Sequence, residues 1–544
     1  MRRFTAILTV LVFIMMTAMS ATCSFAVTQS DETDPTVYTY HRDGSGAPDG
    51  SSEQGDSQNS GGYDSTDPAE PDDQNSDSDD DTDSDDSDTA SVPSAPVDTS
   101  WFDYKNPKKT YKIKNEAQLR GLASLVNEEQ YAWKPNHTED FSNTKFILVN
   151  DISLSGDWEP IGHGSSNSFK GTFDGEGHTI KGLNVKKGHD YSGLFGYLKG
   201  AVSNLNVEGS VNSLNSCTGA IAGRIDTEAS VTGCSTHVSV NGRDKTGGIV
   251  GESKGGTIEL CKSHGDVSGT YKIGGIVGEN FGGKVIQCGN SSEIKSTTRN
   301  IGIYGTGGVA GRSVSDGSVV RECYNTGSIT SATEGTGGVV GFSNAKGARI
   351  ISSYNSGNIV IKAPSHGNKK SKSYAGGVVG IVCDNEVTVA NCYNMGTCLG
   401  ADVSGGVAGF YTDNDSMSPE ANITNNFYVS SEYKYGIGEC LNAGGTTIEN
   451  CTSGISLGAL KNASGRLGNK FRNDSSGIYG NSGYPVLRWQ DKLSEEDKEH
   501  LEGVSIDVQK RLDEYMAKHV DSIMIGEFVI NIFNTTNLLQ DYFD

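Results

Sequence analysis

Short aliphatic runs flanked by glycine recur along the middle of the chain and give the first indication of its fold. The stretch TGGIVGES, residues 246–253, returns as IGGIVGEN, TGGVAGRS, TGGVVGFS, AGGVVGIV and SGGVAGFY. The first aliphatic residue of each copy falls at Leu194, Ile221, Ile249, Ile276, Val309, Val339, Val378 and Val407. Intervals of 27 to 39 residues are typical of stacked units, none of which can cover its apolar face alone.

A second pattern follows most copies in a fixed frame. It reads aliphatic, two residues, Cys, three residues, Gly, one residue, aliphatic, as in Ile258, Cys261, Gly265 and Val267. Other copies place Leu, Ser or Asn at the Cys position, so we predict a ladder of small buried side chains. Disulfide or metal use of these cysteines is the alternative, and the pair to test first is Cys440 with Cys451.

The polarity pattern indicates strands and not helices. Across residues 190–455 the apolar positions never settle into a period of 3.6, and runs of Val, Ile and Thr end at Gly, Asn or Asp. A unit of about 27 residues fits three short strands and three turns. We therefore predict an all-β fold, a right-handed parallel β-helix with short helical caps, preceded by a disordered acidic tail.

A pair of glycines recurs at the same position of successive units, which predicts that the backbone turns a corner at this position in each coil. The corner needs either a positive φ or a neighbouring backbone so close that no Cβ fits. Likewise, a buried aliphatic residue three positions before a buried Cys requires a bend between them, because strand side chains alternate between faces. The predicted structural glycines are Gly247, Gly248, Gly274, Gly275, Gly307, Gly308, Gly337, Gly338, Gly376, Gly377, Gly405 and Gly406.

Other elements are predicted at the two ends of the repeat region. The segment NEAQLRGLASLVN places Leu119, Leu122, Ala123 and Val126 on one helical face, with Asn115 as the N-cap. The stretch GYPVLRWQ, residues 483–490, is predicted to be the last strand. Beyond it, residues 491–544 are predicted to form a C-terminal helical segment with Val508, Leu512, Tyr515 and Met516 on its apolar face.

The chain begins with segments that are not expected to fold. Residues 1–26 resemble a secretory signal peptide, with Arg2 and Arg3 before an apolar run, which predicts a secreted protein with no membrane span after cleavage. Residues 27–100 carry 21 acidic side chains against the single Arg42, most of the net charge of −24. Such a composition predicts a disordered, low-complexity spacer. Residues 101–190 would form the N-terminal cap and first coils, and residues 191–490 the repeats.

The repeat text resembles bacterial surface proteins that carry GLUG repeats. The resemblance rests on YSGLFGYLKGAVSNLNVEGSV from Tyr191, the glycine-flanked copies through Val407, and the preceding WEPIG and FKGTFDGEGHTIKGL. It covers Tyr111 to Gln490 and implies an extracellular β-helix. Members of this family are commonly adhesin-like proteins or the upstream regions of immunoglobulin-A-type zinc peptidases. The resemblance brings no catalytic residues with it.

Candidate chemistry is sparse. The ten histidines form no HExxH motif, so a peptidase relative would lack its catalytic part. For a polysaccharide-acting β-helix enzyme the candidates are Glu252 and Glu279, at one phase of adjacent coils, and a second set in the loop Asp413, Asp415 and Glu420. We predict that Glu252 and Glu279 form a solvated edge, that the protein is not an enzyme, and that it needs no cofactor or metal.

Binding is the better-supported activity at this point. The loop KAPSHGNKKSKSY carries Lys362, Lys369, Lys370 and Lys372, which could contact an anionic glycan; alternatively, it is a tolerated insertion kept soluble by its lysines. Export and acidity make nucleic acid an improbable partner. The sequence predicts a monomeric bacterial protein, secreted or at the cell surface, that binds a glycan or an extracellular protein.

Overall fold

The computed structural model describes residues 96–492 except 104, 128–140, 187–189, 297–303, 363–371, 384–385, 413–422, 442–451 and 475–482. The predicted signal peptide, the acidic spacer up to residue 95, the loop with Asp413, Asp415 and Glu420, and the predicted C-terminal helix lie outside these residues. Of the two compact units in the chain, the described residues belong to the one from Asp88 to Asp544. Their helices are all too short or too polar to span a bilayer.

The described part of the chain is a parallel β-solenoid, as the sequence predicts. Each coil passes through four parallel sheets, which we label I to IV in the order that begins at the paired glycines; they contain 8, 9, 11 and 16 strands. The strands of sheet I are Tyr191–Ser192, Cys217–Gly219, Thr246–Gly247, Ile273–Gly274, Gly305–Gly307, Gly335–Gly337, Tyr374–Gly376 and Val403–Gly405. Those of sheet II are Phe195–Leu198, Ala222–Ile225, Val250–Lys254, Val277–Phe281, Ala310–Val314, Val340–Ser343, Val379–Val382, Ala408–Thr412 and Ile437–Leu441.

Sheets III and IV complete each coil. The strands of sheet III are Thr110–Ile113, Lys145–Leu148, Thr172–Asp174, Ala201–Ser203, Ser230–Thr232, Thr257–Glu259, Lys284–Ile286, Val319–Arg321, Arg349–Ile351, Thr388–Ala390 and Ile423–Thr424. Those of sheet IV are Ile152–Ser153, Thr179–Val185, Asn206–Asn212, Ser235–Asn241, Lys262–Ser263, Val267–Gly269, Gly289–Asn290, Ile294–Ser296, Tyr324–Asn325, Ile329–Ser331, Tyr354–Asn355, Ile359–Ile361, Tyr393–Asn394, Cys398–Leu399, Asn426–Val429 and Thr452–Ile455.

The expectation of three strands in each coil is wrong, because the coil bends more often than the sequence suggests. In the coil that begins at Thr246, the chain forms five strand segments in four sheets. One extra bend lies where it was predicted, between the aliphatic residue and the Cys. There Leu260 has φ 55°, the left-handed region, so the chain leaves sheet III before Cys261. Equivalent residues with positive φ are Asn204, Gly233, Gln287, Glu322, Ser352, Asn391 and Asn425.

Successive coils are joined at the glycine corner by one shared carbonyl. The Ile276 carbonyl oxygen accepts hydrogen bonds from the backbone N–H groups of both Ile249, at 3.1 Å, and Val250, at 3.0 Å. Ile249 in turn accepts from Ile221 and Ala222 of the preceding coil. Two consecutive N–H groups can point to one acceptor only if the chain turns between strands, so this bond pair defines the corner between sheets I and II.

The paired glycines are required by close packing, the second of the two predicted reasons. None of them is among the residues with positive φ. A Cβ on Gly248 would overlap the carbonyl oxygen of Gly275 in the next coil, and a Cβ on Gly275 would overlap that of Gly308 and the side chain of Asn290. Any larger residue at these positions would push the coils apart.

The core lies inside the coils and consists of stacked rows of like side chains. Ile249, Ile276 and their equivalents are fully buried, and the predicted cysteine ladder runs beside them. Burial raises the pKa of Cys392 to about 12, so this thiol is not reactive at neutral pH. The ladder contains Cys234, Cys261, Cys288, Cys323 and Cys392, with Leu205, Ser353 and Asn426 in the remaining positions. Cys451 lies outside the described residues, so the alternative, a disulfide between Cys440 and Cys451, is not tested.

The predicted N-terminal helix is present at Glu116–Asn127 and packs against the first coils. Asn115 is its N-cap, because the Asn115 Oδ1 atom accepts from the backbone N–H of Gln118 at 3.0 Å. Leu119, Leu122 and Ala123 are buried in the solenoid core, whereas Val126 is partly exposed. Because the helix contributes to the core, it is an integral cover for the first coils and not an appendage.

The C-terminal strand is present but does not extend the solenoid. Pro485–Leu487 pairs antiparallel with Phe471–Asn473 in a separate two-stranded sheet. Together with the short helices Leu457–Leu460 and Ser464–Leu467 and the 3-10 helix Arg488–Lys492, this pair packs on the outside of sheet IV. We call residues 457–492 the side cover. The prediction of a last solenoid strand here is wrong because the apolar residues of this segment meet a row of tyrosines and not the open coil end.

We expect Gly275→Ala to destabilise the solenoid by about 1–3 kcal/mol, the usual cost of overpacking. The added Cβ would overlap the Gly308 carbonyl oxygen and Asn290. Urea unfolding followed by circular dichroism measures the effect. Gly164→Ala is the matched control, because a Cβ there meets no atom within 4 Å. An equal and small effect of both substitutions would contradict the packing explanation.

We expect Glu116→Gln to loosen the N-terminal helix in a pH-dependent way. Although burial opposes it, hydrogen bonds from Ser155 and Arg120 hold the pKa of Glu116 below its ordinary value. The stabilisation, about 1 kcal/mol for this partly exposed group, is complete above the unfolded-state pKa of about 4.3. It is lost as the pH falls through the lower folded-state pKa. The unfolding temperatures of the two proteins should differ at pH 7 and converge in acid, below the folded-state pKa of Glu116; a constant difference would refute the assignment.

Candidate functional site

The two sequence-predicted carboxylates lie in a seam between the outer faces of sheets I and II. Side chains at or just before the start of the sheet I strands meet side chains from the middle of the sheet II strands, in the same coil or the next one. Tyr191 and Tyr197 mark one end with ring centroids 5.0 Å apart, and Tyr374 and Phe410 lie near the other at 4.7 Å. We use the term seam for these two facing rows.

Glu252 and Glu279 occupy the centre of the seam and are register partners in sheet II. Glu252 Oε2 lies 3.2 Å from Arg224 Nη1, and Glu252 Oε1 lies 3.0 Å from Lys245 Nζ. Glu279 lies 3.5 Å from Lys245 Nζ and 3.1 Å from Arg312 Nη1. The result is a continuous chain of alternating charges that joins four successive coils.

The expectation of a solvated edge at these glutamates is wrong. The exposed fractions of Glu252 and Glu279 are 6% and 5%, because Lys245 and Lys272, just before the sheet I strands, and Cys217 of sheet I lie against them. Two stacked carboxylates at this depth would repel each other strongly, and the interposed cations remove that repulsion. The sequence shows Glu252, Glu279 and Arg312 at one phase, but Lys245 and Lys272 lie just before the sheet I strands Thr246–Gly247 and Ile273–Gly274, and no period reveals that they meet the glutamates.

The electrostatics of the seam hold its cations charged. Burial alone would lower the pKa of Lys245, but Glu252 and Glu279 raise it above its ordinary value. Burial raises the pKa of Asp244 on the rim of the seam, although Lys272, 3.4 Å away, opposes this shift. With a cation on each side of both glutamates, the arrangement suits a structural ion network better than proton transfer.

The seam continues as an apolar row in later coils. The Arg312 guanidinium lies over the Phe342 ring at 5.1 Å, and from there the sheet II row is Phe342, Ile381 and Phe410. These side chains and Val314 are 3–6% exposed and form a small second core. Charged side chains therefore fill one part of the seam, and apolar side chains fill the other.

The predicted lysine patch is only partly within the described residues. Lys369 and Lys370 lie outside them. Lys362 is exposed directly after the sheet IV strand Ile359–Ile361. Lys372 Nζ donates to both carboxylate oxygens of Glu439, at 2.9 and 3.1 Å, so its charge is matched within the chain. Binding by these four lysines stays a prediction.

Sheet IV contains two ladders of stacked polar side chains that the sequence analysis does not predict. The first consists of fully buried asparagines, in which the Asn325 Nδ2 atom donates to Asn355 Oδ1 at 2.8 Å and Asn355 donates likewise to Asn394. Each amide also donates to the carbonyl oxygen two residues ahead, for example Asn325 to Gly327 at 2.9 Å. The recurring YN-x-G in CYNTG, SYNSG and CYNMG was the signal that could have revealed this ladder.

The tyrosines of the same motif form the second ladder on the outer face of sheet IV. Tyr354 and Tyr393 stack with centroids 4.9 Å apart and an interplanar angle of 4°. The side cover buries them: Trp489 Nε1 donates to the Glu322 carbonyl oxygen at 2.8 Å, and Gln490 Nε2 donates to Tyr354 at 3.1 Å. The ladder is therefore part of the interior of the protein and not a free aromatic surface.

The outer face of sheet III carries a cluster of cations. Lys284 and Arg349 are both register partners of Val319, so they lie two strands apart on one row. Arg321 is two residues beyond Val319 on the intervening strand, and its register partners on the two neighbouring strands are Ile286 and Ile351. We call Lys284, Arg321 and Arg349 the basic triad. Neither Lys284 nor Arg349 forms an ion pair with a described residue, and both are exposed.

Within the described ranges no group of three or more His, Cys, Asp or Glu side chains is arranged to hold a metal ion. The fold and these surfaces define a parallel β-solenoid whose seam carboxylates are paired with cations of the chain and whose sheet III carries exposed cations among the described residues. No protein-family model matches the chain. It is 32% identical over 151 residues to halomucin of Haloquadratum walsbyi, a match that covers 26% of this chain and 2% of halomucin.

A solved structure is also similar to this chain. It belongs to a candidate immunoglobulin A1 protease from Bacteroides ovatus, with a TM-score of 0.34 and 19% sequence identity. The alignment covers 70% of this chain and 92% of that one.

We expect Glu279→Gln to destabilise the protein by about 2–3 kcal/mol, because it leaves the half-buried Arg312 guanidinium without its carboxylate partner and leaves Lys272 with Asp244 alone. The matched control is Glu293→Gln, which removes the exposed pair of Glu293 with Lys295 and should have little effect. Urea midpoints of the two variants provide the measurement. A Glu279→Gln midpoint equal to that of the control would show that the ion network does not stabilise the coils.

Proposed function

We propose that this chain is an exported, non-catalytic binding protein, displayed at a bacterial surface, that attaches to a glycan or an extracellular protein. Its repeats would then be of the GLUG type, as the resemblance of the repeat text suggests. In this proposal the solenoid is a rigid scaffold that presents side chains at regular intervals. The acidic segment before it is a spacer on its N-terminal side.

The observation that carries the proposal is the contrast between the two charged surfaces. In the seam, Glu252 and Glu279 are each engaged by at least two cations and are shielded from solvent. On sheet III, by contrast, Lys284 and Arg349 are exposed and unpaired among the described residues. A protein that binds needs accessible groups of this second kind, whereas a hydrolase or lyase needs an accessible acid or base.

The polysaccharide-acting alternative has less support from the same geometry. It would need at least one of the stacked glutamates to reach a substrate, and both lie beneath the side chains of sheet I. To use Glu279, a sugar would have to displace Arg312 from a contact of 3.1 Å and leave that cation unpaired. For this reason we favour binding over catalysis.

The proposal is tested with the full mature chain on an array of neutral and acidic glycans and extracellular matrix proteins, with polysaccharide depolymerisation measured in parallel. We expect saturable binding to at least one class of ligand and no release of reducing ends or unsaturated sugars. A variant with Lys362, Lys369, Lys370 and Lys372 all changed to Gln shows whether the lysine loop contributes. Release of oligosaccharide products that stops in Glu252→Gln would overturn the proposal in favour of an enzyme.

A further inference from the structure

We propose that the basic triad on sheet III is a binding site for an acidic polysaccharide that runs across the strands, along the axis of the coils. This inference deepens the proposed function and rests on it, because it names the surface and the ligand class. The triad has not been singled out by the sequence: its residues are 28 to 65 positions apart in the chain and follow no common motif.

The register of sheet III gives the triad its geometry. Adjacent strands in a sheet are about 4.8 Å apart, so the backbones of Lys284 and Arg349 are separated by about 10 Å with Val319 between them. Arg321 projects from the same face two residues further along the intervening strand. The buried neighbours Val285, Val320 and Ile350 fix this orientation, since strand side chains alternate between faces. The three cations therefore form a triangle on a rigid surface.

The flanking residues hold the triad in place without neutralising it. Ile286 and Ile351 are the register partners of Arg321 on either side, so the aliphatic part of the arginine has apolar neighbours. Arg321 Nε lies 3.6 Å from Glu322 Oε1, but this carboxylate is buried and is also engaged by Lys470 at 3.0 Å. Glu259 lies in the same row beyond Ile286. With three cations of the triad against Glu259 and the Lys470-paired Glu322, the local balance is positive on a chain whose net charge is −24.

The composition of the face favours an acidic polysaccharide over other polyanions. The row of Lys284 and Arg349 continues as Thr257 on one side and Thr388 on the other, and their hydroxyls can exchange hydrogen bonds with sugar hydroxyls. The strands from Thr257–Glu259 to Thr388–Ala390 contain no aromatic residue, whereas single-stranded nucleic acid sites stack bases on aromatic side chains. A polymer with carboxylate or sulfate groups at regular intervals matches cations spaced by the strand repeat.

The test compares the wild-type chain with the triple variant Lys284→Gln, Arg321→Gln, Arg349→Gln. The probes are polygalacturonate and dextran sulfate, with neutral dextran and oligothymidylate as comparison polymers, titrated at low and at physiological salt. We expect wild-type to bind at least one acidic polysaccharide, less tightly as salt rises. The triple variant should lose roughly tenfold or more in affinity, since three exposed ion pairs are removed.

The matched control is Lys108→Gln, Lys109→Gln, Lys254→Gln, which removes the same charge from exposed lysines outside the triad. It should bind like wild-type, and circular dichroism must show that both variants are folded. Equal affinity of the triple variant and wild-type for the acidic polysaccharides would overturn the site. Tighter binding of oligothymidylate than of either acidic polysaccharide would overturn the ligand class. No binding to either acidic polysaccharide, with binding to other ligands on the array, would overturn this inference and leave the proposed function standing.

Discussion

The shared carbonyl at the glycine corner is the interaction on which the rest of the structure depends. Because one oxygen accepts from two consecutive N–H groups of the neighbouring coil, from Ile221 with Ala222 through Val407 with Ala408, the chain must turn at the same residue in each of these coils. That repetition holds all four sheets in register, so one row of side chains in each sheet continues from coil to coil. The paired glycines make the corner possible, since any Cβ there would enter the space of the adjacent backbone.

A fixed register has an electrostatic consequence, because equivalent residues in adjacent coils lie about 4.8 Å apart. Uncharged rows can be uniform: cysteines, asparagines and tyrosines stack on their own kind, and asparagine even gains a hydrogen bond from doing so. Charged rows cannot be uniform unless ions of opposite sign are interposed. The seam shows that solution, with Lys245 reaching both Glu252 and Glu279, and the triad shows the other, with an uncharged residue between cations of one row.

The sequence predicts the solenoid, the cysteine ladder and the N-terminal helix because each depends on residues in one local frame. Two glycines followed by an aliphatic residue, repeated along the chain, identify the corner. Asn115 and the spacing of Leu119 and Leu122 identify the helix. The features that the sequence does not reveal depend on contacts between different strands or distant segments of the chain. Lys245 is seven residues from Glu252 and meets it only because sheets I and II fold face to face. The side cover was likewise mistaken for a last strand, since its partner Tyr354 lies 136 residues from Gln490.

The same reasoning separates structural from accessible charges. A solenoid of this kind has a small interior relative to its outer surface, so sequence phase alone does not say whether an outward residue reaches solvent. Glu252 and Arg349 are both outward residues of their strands, yet the first is covered by sheet I and the second is exposed. The difference follows from the corner that separates the sheets: sheet II turns back against sheet I, whereas no other sheet of the described residues lies in front of sheet III. Under the proposed binding function, ligand contact is therefore expected on sheet III, whereas the ion pairs of Glu252 and Glu279 join neighbouring coils.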